Sequence, residues 1–255
     1  MDLSSVFSLD HKVALITGAS KGIGLGIAEI FAAAGAKVVI SSRKQDSLDE
    51  MADQLKSKGY EATGIACNVG KMDELPQLVE KTIEKYGALD ILVNNAAANP
   101  IFGPVHETSL EAFDKIMNVN VKAPFELCRL CYPYLRKSAG ASVINISSIG
   151  GLSPEHGLGI YSVSKSALIS LTKVYAKEWG PSKIRVNAIC PGLIQTKFSE
   201  AIWSNEKLMN MVMNQLSIKR SGTPEEIGLM ALFLASAASS YTTGAVLTAD
   251  GGFTI

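Results

Sequence analysis

Residues Lys12-Val-Ala-Leu-Ile-Thr17 form a short apolar run rich in branched side chains, and it stops at Gly18-Ala-Ser-Lys-Gly-Ile-Gly24. Past the glycines the apolar spacing becomes helical through Ile27, Ile30 and Phe31. A strand that turns through glycines into a helix predicts a βα unit, and the chain repeats that rhythm. Further strands are predicted over residues 36–41, 61–67, 89–93, 141–147, 184–190 and 245–248. Helical runs lie between them over 45–58, 72–86, 109–136 and 159–179, and Thr223-Pro-Glu-Glu-Ile227 has the capping pattern that starts another. Strands joined by helices predict an α/β chain, a doubly wound parallel sheet with helices on both faces. No Pro-rich or Ser-rich linker interrupts the 255 residues, so a single domain over 1–255 is expected.

Charge and composition narrow the partners. The 24 basic and 24 acidic side chains cancel, leaving no net field to attract nucleic acid or an anionic membrane. Residues 1–12 carry Asp2 and Asp10 and lack the basic start and apolar core of a secretory signal, and 227–249 is broken by Ser, Thr, Tyr and Gly. A cytoplasmic protein with reduced thiols at Cys67, Cys128, Cys131 and Cys190 is expected. Cys128-x-x-Cys131 lies in a helical run with no histidine neighbour, which predicts core packing rather than zinc or redox chemistry. His11, His106 and His156 are scattered, so no metal site is predicted.

The glycine turn predicts a phosphate site, because backbone amides at a helix start can approach a pyrophosphate closely. Its spacing, Gly18, Gly22 and Gly24, departs from the common G-x-G-x-x-G. At the end of the second strand, where an acidic residue would take ribose hydroxyls, stand Ser42, Arg43 and Lys44, with nothing acidic before Asp46. Arg43, with Lys21 from the glycine loop, suits the extra phosphate of NADP(H) better than NAD(H).

Further on, Ser148 ends a strand, Tyr161 follows on a helix, and Lys165 stands one turn beyond it. A phenol ordinarily titrates near ~10, and an adjacent ammonium, favouring the phenolate, is expected to bring it toward acid and base work near neutrality. Proton transfer to a carbonyl oxygen is the chemistry this suits.

Together these segments resemble the short-chain dehydrogenase/reductase family. Thr17-Gly18-x-x-x-Gly22-x-Gly24 resembles its cofactor loop, Asn94-Asn95-Ala96-Ala97 its Asn-Asn-Ala-Gly segment, Asn120 its helix asparagine, and Ser148 with Tyr161-x-x-x-Lys165 its catalytic set. The resemblance implies a single-domain Rossmann-type fold and a homotetramer. It makes Tyr161 the general acid or base and Ser148 the group that aims the carbonyl. Lys165 would favour the phenolate and hold the nicotinamide ribose, and Asn120 would anchor a water leading to solvent. Cofactor contacts are implied at Gly18, Ser20, Lys21, Gly22, Ile23, Gly24, Ser42, Arg43, Asn68, Val69, Asn95, Ala96, Tyr161, Lys165, Pro191, Gly192, Ile194 and Thr196. Two departures bear on cofactor fit: Ala97 replaces a glycine, and Asn68 stands where an aspartate is frequent.

In this family the stretch after Pro191-Gly192, near 193–220, carries a substrate lid. Here it holds Phe198, Trp203, Leu208, Met209, Met211 and Met213, which suit a pliable pocket for apolar carbonyl compounds or their alcohols. Asn99-Pro-Ile-Phe102 and Pro154-Glu-His156 are candidates for the rim. From Asn99-Pro100 through the lid the chain resembles the carbonyl reductase subgroup called dehydrogenase/reductase member 4, which implies NADPH-dependent reduction of ketones and aldehydes. The ending Gly252-Phe-Thr-Ile255 lacks the peroxisomal signal frequent in that subgroup. A 3-oxoacyl thioester reductase is the alternative, left open by Lys197, Lys207 and Arg220. A non-catalytic NADP-binding sensor is a third reading, and intact Ser148, Tyr161 and Lys165 argue against it.

Overall fold

The computed structural model describes residues 2–203 and 206–255, with the side chains of 201, 202, 207 and 208 outside that description. Seven strands form one sheet: β1 (Val13–Thr17), β2 (Lys37–Ser42), β3 (Ala62–Ala66), β4 (Ile91–Asn94), β5 (Ser142–Ile146), β6 (Arg185–Pro191) and β7 (Val246–Ala249). Their order is β3-β2-β1-β4-β5-β6-β7, and every pairing is parallel. Ten helices accompany them among the described residues: α1 (Leu3–Phe7), α2 (Gly22–Ala33), α3 (Gln45–Ser57), α4 (Leu75–Tyr86), α5 (Leu110–Met117), α6 (Ala123–Leu135), α7 (Gly159–Trp179), α8 (Glu200–Trp203), α9 (Glu206–Gln215) and α10 (Pro224–Ala235).

Strand periodicity explains why two cores form. Within β1, Ala14 and Ile16 face one side with Ile27 and Phe31 of α2, Leu48 of α3 and Ile227 of α10, whereas Leu15 faces the other. That second core holds Leu78 of α4, Leu127, Cys128 and Cys131 of α6, and Trp179 of α7. All five residues of β1 are buried, the mark of a strand covered on both faces. The thiols of Cys128 and Cys131 are free and buried, and burial pushes Cys128 up to about 12 and Cys131 well above its ordinary value. Neutral thiols of this kind fill space. No helix among the described residues is long and apolar enough to cross a membrane.

The sheet order turns back between β1 and β4. In an open parallel sheet such a switch point leaves a crevice at the carboxyl ends of the strands. Thr17, Asn94, Ile146 and Pro191 end β1, β4, β5 and β6 on that edge.

One expected element is divided. The helical run over 109–136 is α5 and α6 joined by a π turn over Asn118–Lys122. Val119, Val121 and two asparagines are weak helix formers, and the Asn120 side chain bonds outside the helix, so a widened turn costs little there.

Candidate active site

Beyond β5 the chain passes through Ser147 and Ser148 into a 3-10 turn over Ile149–Gly151. The Ser148 hydroxyl accepts from the Gly150 amide at 3.1 Å, which holds it at the carboxyl edge of the sheet. Tyr161 and Lys165 lie one turn apart on α7, both buried, and Lys165 Nζ is 5.5 Å from the centroid of the phenol ring. Ser147 ties α7 to this edge, its hydroxyl donating to the Lys165 carbonyl at 2.9 Å.

The protonation balance differs from the sequence expectation. Burial pushes the Tyr161 phenol above its ordinary value, a hydrogen bond with the Ser148 hydroxyl opposes that rise, and the Glu155 carboxylate adds to it. Lys165 does not bring the phenol down in this arrangement. Its ammonium donates instead to the Ile146 carbonyl at 2.8 Å, and burial lowers it to about 8. That carbonyl is its one hydrogen-bond acceptor among the described residues, so of three ammonium donors two stay available.

Asn120, fully buried in the π turn, holds two segments together. Its Oδ1 accepts from the Ala98 amide at 2.8 Å, and its Nδ2 donates to the Ala98 carbonyl and to the Ser164 hydroxyl, each at 3.0 Å. Both amide donors are therefore used inside the protein. A water at this position would have to take the remaining lone pair of Oδ1 or a main-chain group of the widened turn.

The glycine turn is shaped by close approach. Gly18 has φ +64°, and a Cβ there would lie 2.8 Å from Ala96 Cα. A Cβ on Gly24 would come within 2.5 Å of Asn95 Nδ2 and 2.6 Å of the Gly18 carbonyl oxygen. Asn95 earns its position by bracing this turn: its Nδ2 donates to the Thr17 and Gly18 carbonyls at 2.8 and 3.1 Å. Thr17, whose role the sequence left unassigned, accepts from the Asn95 and Ala96 amides through Oγ1, each at 3.1 Å. We expect Gly24→Ala to destabilise the protein by about 1–3 kcal/mol through overpacking. Urea unfolding reads this directly, and an unchanged midpoint would show that Asn95 moves aside freely.

The other predicted positions divide. A Cβ on Gly22 would touch Thr196 Cγ2 at 3.3 Å, so the loop after β6 meets the glycine turn. Ile23 packs on the core from the first turn of α2, and Ser20 is half-buried just before that helix. Lys21 and Arg43 are exposed, and neither makes a hydrogen bond or ion pair among the described residues. Ser42 ends β2 beside Ala66. Asn68 accepts from the Gly70 amide at 3.1 Å, while Val69 is buried in the second core. Pro191 pairs with Ala249, Gly192 lies against Asp250, and Ile194 is buried beside Gly222. Ala97 does not have a positive φ, so its methyl meets no left-handed backbone.

Over the phenol stands the segment after β6. The rings of Phe198 and Tyr161 are 6.1 Å apart, and Trp203 Nε1 donates to the Thr196 carbonyl at 2.8 Å. Met209, Met211 and Met213 lie on α9, and Met211 is exposed. The side chains of Leu208 and Lys207 fall outside the described residues. Arg220 is bound by Glu226 through two bonds, at 2.9 and 2.6 Å. On the opposite rim, Gly103 donates to the Gly157 carbonyl at 3.1 Å, and the Phe102 ring covers Gly157.

A family model described as enoyl-(acyl carrier protein) reductase matches residues 18–254. Dehydrogenase/reductase SDR family member 4 of Sus scrofa is 43% identical over 244 residues, covering 96% of this chain and 88% of its own. Short-chain dehydrogenase/reductase SDRA of Arabidopsis thaliana is also 43% identical, with 96% and 95% covered. Among solved structures, a gluconate 5-dehydrogenase from Burkholderia cenocepacia in complex with NADP and tartrate is 29% identical. It superposes at a TM-score of 0.94 over 98% of both chains. With its parallel sheet, glycine turn and buried Tyr161 and Lys165, the chain belongs to the short-chain dehydrogenase/reductase family of oxidoreductases.

Proposed function

We propose that this protein reduces apolar ketones or aldehydes to alcohols with NADPH, reversibly, and that Tyr161 is the general acid or base. The observation that carries the reading is the convergence of Ser148, Tyr161 and buried Lys165 at the sheet edge beside the glycine turn. The turn suits a dinucleotide, since glycines at 18 and 24 let the loop fold tightly against Asn95 and Ala96, where a Cβ would clash, and leave its backbone without side chains toward a ligand. Amides at the start of α2 would face its pyrophosphate. Lys21 and Arg43, having no partner among the described residues, would hold the additional phosphate of NADPH. The two available Lys165 donors would hold ribose hydroxyls.

Bound NADPH supplies the hydride. Ser148 positions the carbonyl oxygen by donating to it, and Tyr161 gives that oxygen its proton. Because the phenol is raised, it stays protonated through neutral pH, the state that reduction requires. Phe198 over the phenol ring and the methionines of α9 support an apolar substrate under a lid made by 193–220. The apolar groove between α6 and α7, lined by Phe125, Arg129, Tyr132, Tyr175 and Trp179, supports self-association, and the homotetramer belongs to this reading.

An acyl thioester reductase is favoured by the description of the matching family model. It would use basic residues at the mouth to meet an acyl carrier, and Arg220 is already engaged by Glu226. Following NADPH absorbance with ketones, aldehydes, diketones, sugar acids and oxoacyl and enoyl thioesters decides between the readings. We expect consumption to be fastest with the apolar carbonyls. Faster turnover of thioesters would replace the proposal with the second reading, and NADPH binding without consumption of any compound would favour the sensor.

A further inference from the structure

Glu155 is a carboxylate at the mouth for which the proton-transfer set has no use. It lies in the loop between the 3-10 turn over Ile149–Gly151 and α7, and that loop is pinned to the facing one by the Gly103 to Gly157 hydrogen bond. Its Oε1 lies 3.5 Å from the point where a Cβ on Gly150 would stand. Ser148 Oγ lies 3.5 Å from the same point and Ser162 Oγ 3.2 Å from it. Three side-chain oxygens thus surround one small space next to the hydroxyl that aims the carbonyl.

Nothing nearby neutralises the carboxylate. Among the described residues Glu155 has no ion pair and no side-chain hydrogen bond, and the buried Ser162 hydroxyl also lacks a partner. Glu155 is half-buried, which leaves part of it open to an incoming molecule and removes part of its hydration. Its field reaches the Tyr161 phenol, and burial raises its own titration. An anion that is partly stripped of water and lacks a counter-ion repels a second anion strongly. It also offers lone pairs to any donor placed against it.

We propose that Glu155 determines the charge selectivity of this site: it rejects substrates carrying a carboxylate next to the reacting carbonyl and favours those presenting an O–H, N–H or ammonium there. Selectivity of this kind arises from a repulsive element as much as from an attractive one. The inference rests on the reductase reading above, because it takes Ser148 as the group that fixes where the carbonyl lies. It goes beyond that reading by naming what the neighbouring substituent must be. Apolar walls from Phe198 and Phe102 allow a hydrophobic body, and Glu155 adds one polar requirement at the reacting end.

The test compares benzoylformate with its methyl ester and with 2-aminoacetophenone as substrates, using the full chain and saturating NADPH. The wild type is expected to favour ester over acid, and Glu155→Gln to shrink that ratio of kcat/KM by about tenfold or more, chiefly through KM. Glu155→Lys should move the ratio further toward the acid, and both variants should lower the relative rate of the amino ketone. A purely structural role would depress all three substrates alike and leave the ratios unchanged, which would overturn the inference. A second measurement needs no turnover: calorimetric binding of mandelate and mandelamide to the NADP-loaded protein. If Glu155→Gln improves mandelate relative to mandelamide by the same factor, the charge effect stands even where no carbonyl is reduced, and the reductase reading alone has failed. An unchanged ratio of the two affinities overturns the inference independently of catalysis.

Discussion

Replacing Tyr161 with Phe is expected to lower kcat by about 10³ or more, within the range that a positioned general acid supplies, while NADPH affinity changes little. The phenolic hydroxyl is the only group removed. Its partner is the Ser148 hydroxyl, which keeps its bond from the Gly150 amide, so the fold should lose only about 1 kcal/mol. Ring packing against Phe198 is retained. Binding and chemistry should therefore separate, with calorimetric NADPH titration near wild type and steady-state reduction almost abolished. Retained reduction would show that another group, or water, delivers the proton.

The same geometry predicts which form of the phenol is present. Burial, with Glu155 adding to it, keeps Tyr161 protonated at neutral pH, and the Ser148 hydrogen bond only partly opposes this. Lys165, lowered to about 8, is still mainly charged at pH 7 but can lose its proton in mild alkali. Of the two groups, the phenol holds its proton more firmly and the ammonium is the more labile.

Much of the architecture was legible because both faces of the sheet are covered. Residues 13–17, 91–94 and 142–146 are buried throughout, which writes mainly apolar runs into the chain, broken only by hydrogen-bonded polar residues such as Asn94 and Asn145, and the helices between them keep their amphipathic spacing. Candidate site residues stood out where two residue types share one helix face, as Tyr161 and Lys165 do, or where sterics leave room only for glycine, as at Gly24. What the sequence concealed depends on distant partners. Asn120 follows helical spacing, yet its bonds to Ala98 and Ser164 select a widened turn. Asn95 reads as a ligand contact, and its additional bracing of the glycine loop through Nδ2 rests on partners 77 and 78 residues away. Desolvation, which acts on both Tyr161 and Lys165, depends on the folded surroundings and not on their helical spacing. Glu155 could be placed on the rim from its position, but its lack of a counter-ion is a property of the folded loop.

Arg43→Asp is expected to reverse the cofactor preference. Arg43 follows Ser42 at the end of β2, the strand beside β1, and its guanidinium is exposed with no acidic or carbonyl partner among the described residues. Guanidinium binding to a phosphate gains from two parallel donors, and such charge-assisted bonds are roughly twice as strong as neutral ones. Removing them and adding a negative charge should weaken NADPH by about 10². NADH, which offers ribose hydroxyls instead, gains an acceptor from the new carboxylate. Together the ratio of the two affinities should move by about 10³ toward NADH, each tenfold corresponding to about 1.4 kcal/mol. Lys21→Ala should move it in the same direction but less, because a flexible ammonium contributes as a point charge. Exposure supplies an independent signature. Charges in contact with solvent are screened within about 8 Å at physiological ionic strength, so wild-type NADPH binding should weaken as salt is added, whereas the Arg43→Asp protein should lose most of that dependence. Calorimetric titrations of both nucleotides at low and high salt measure the ratio and its slope together. An unchanged preference with an unchanged salt slope would remove Arg43 from the phosphate site and leave Lys21 and the amides of α2 to hold it.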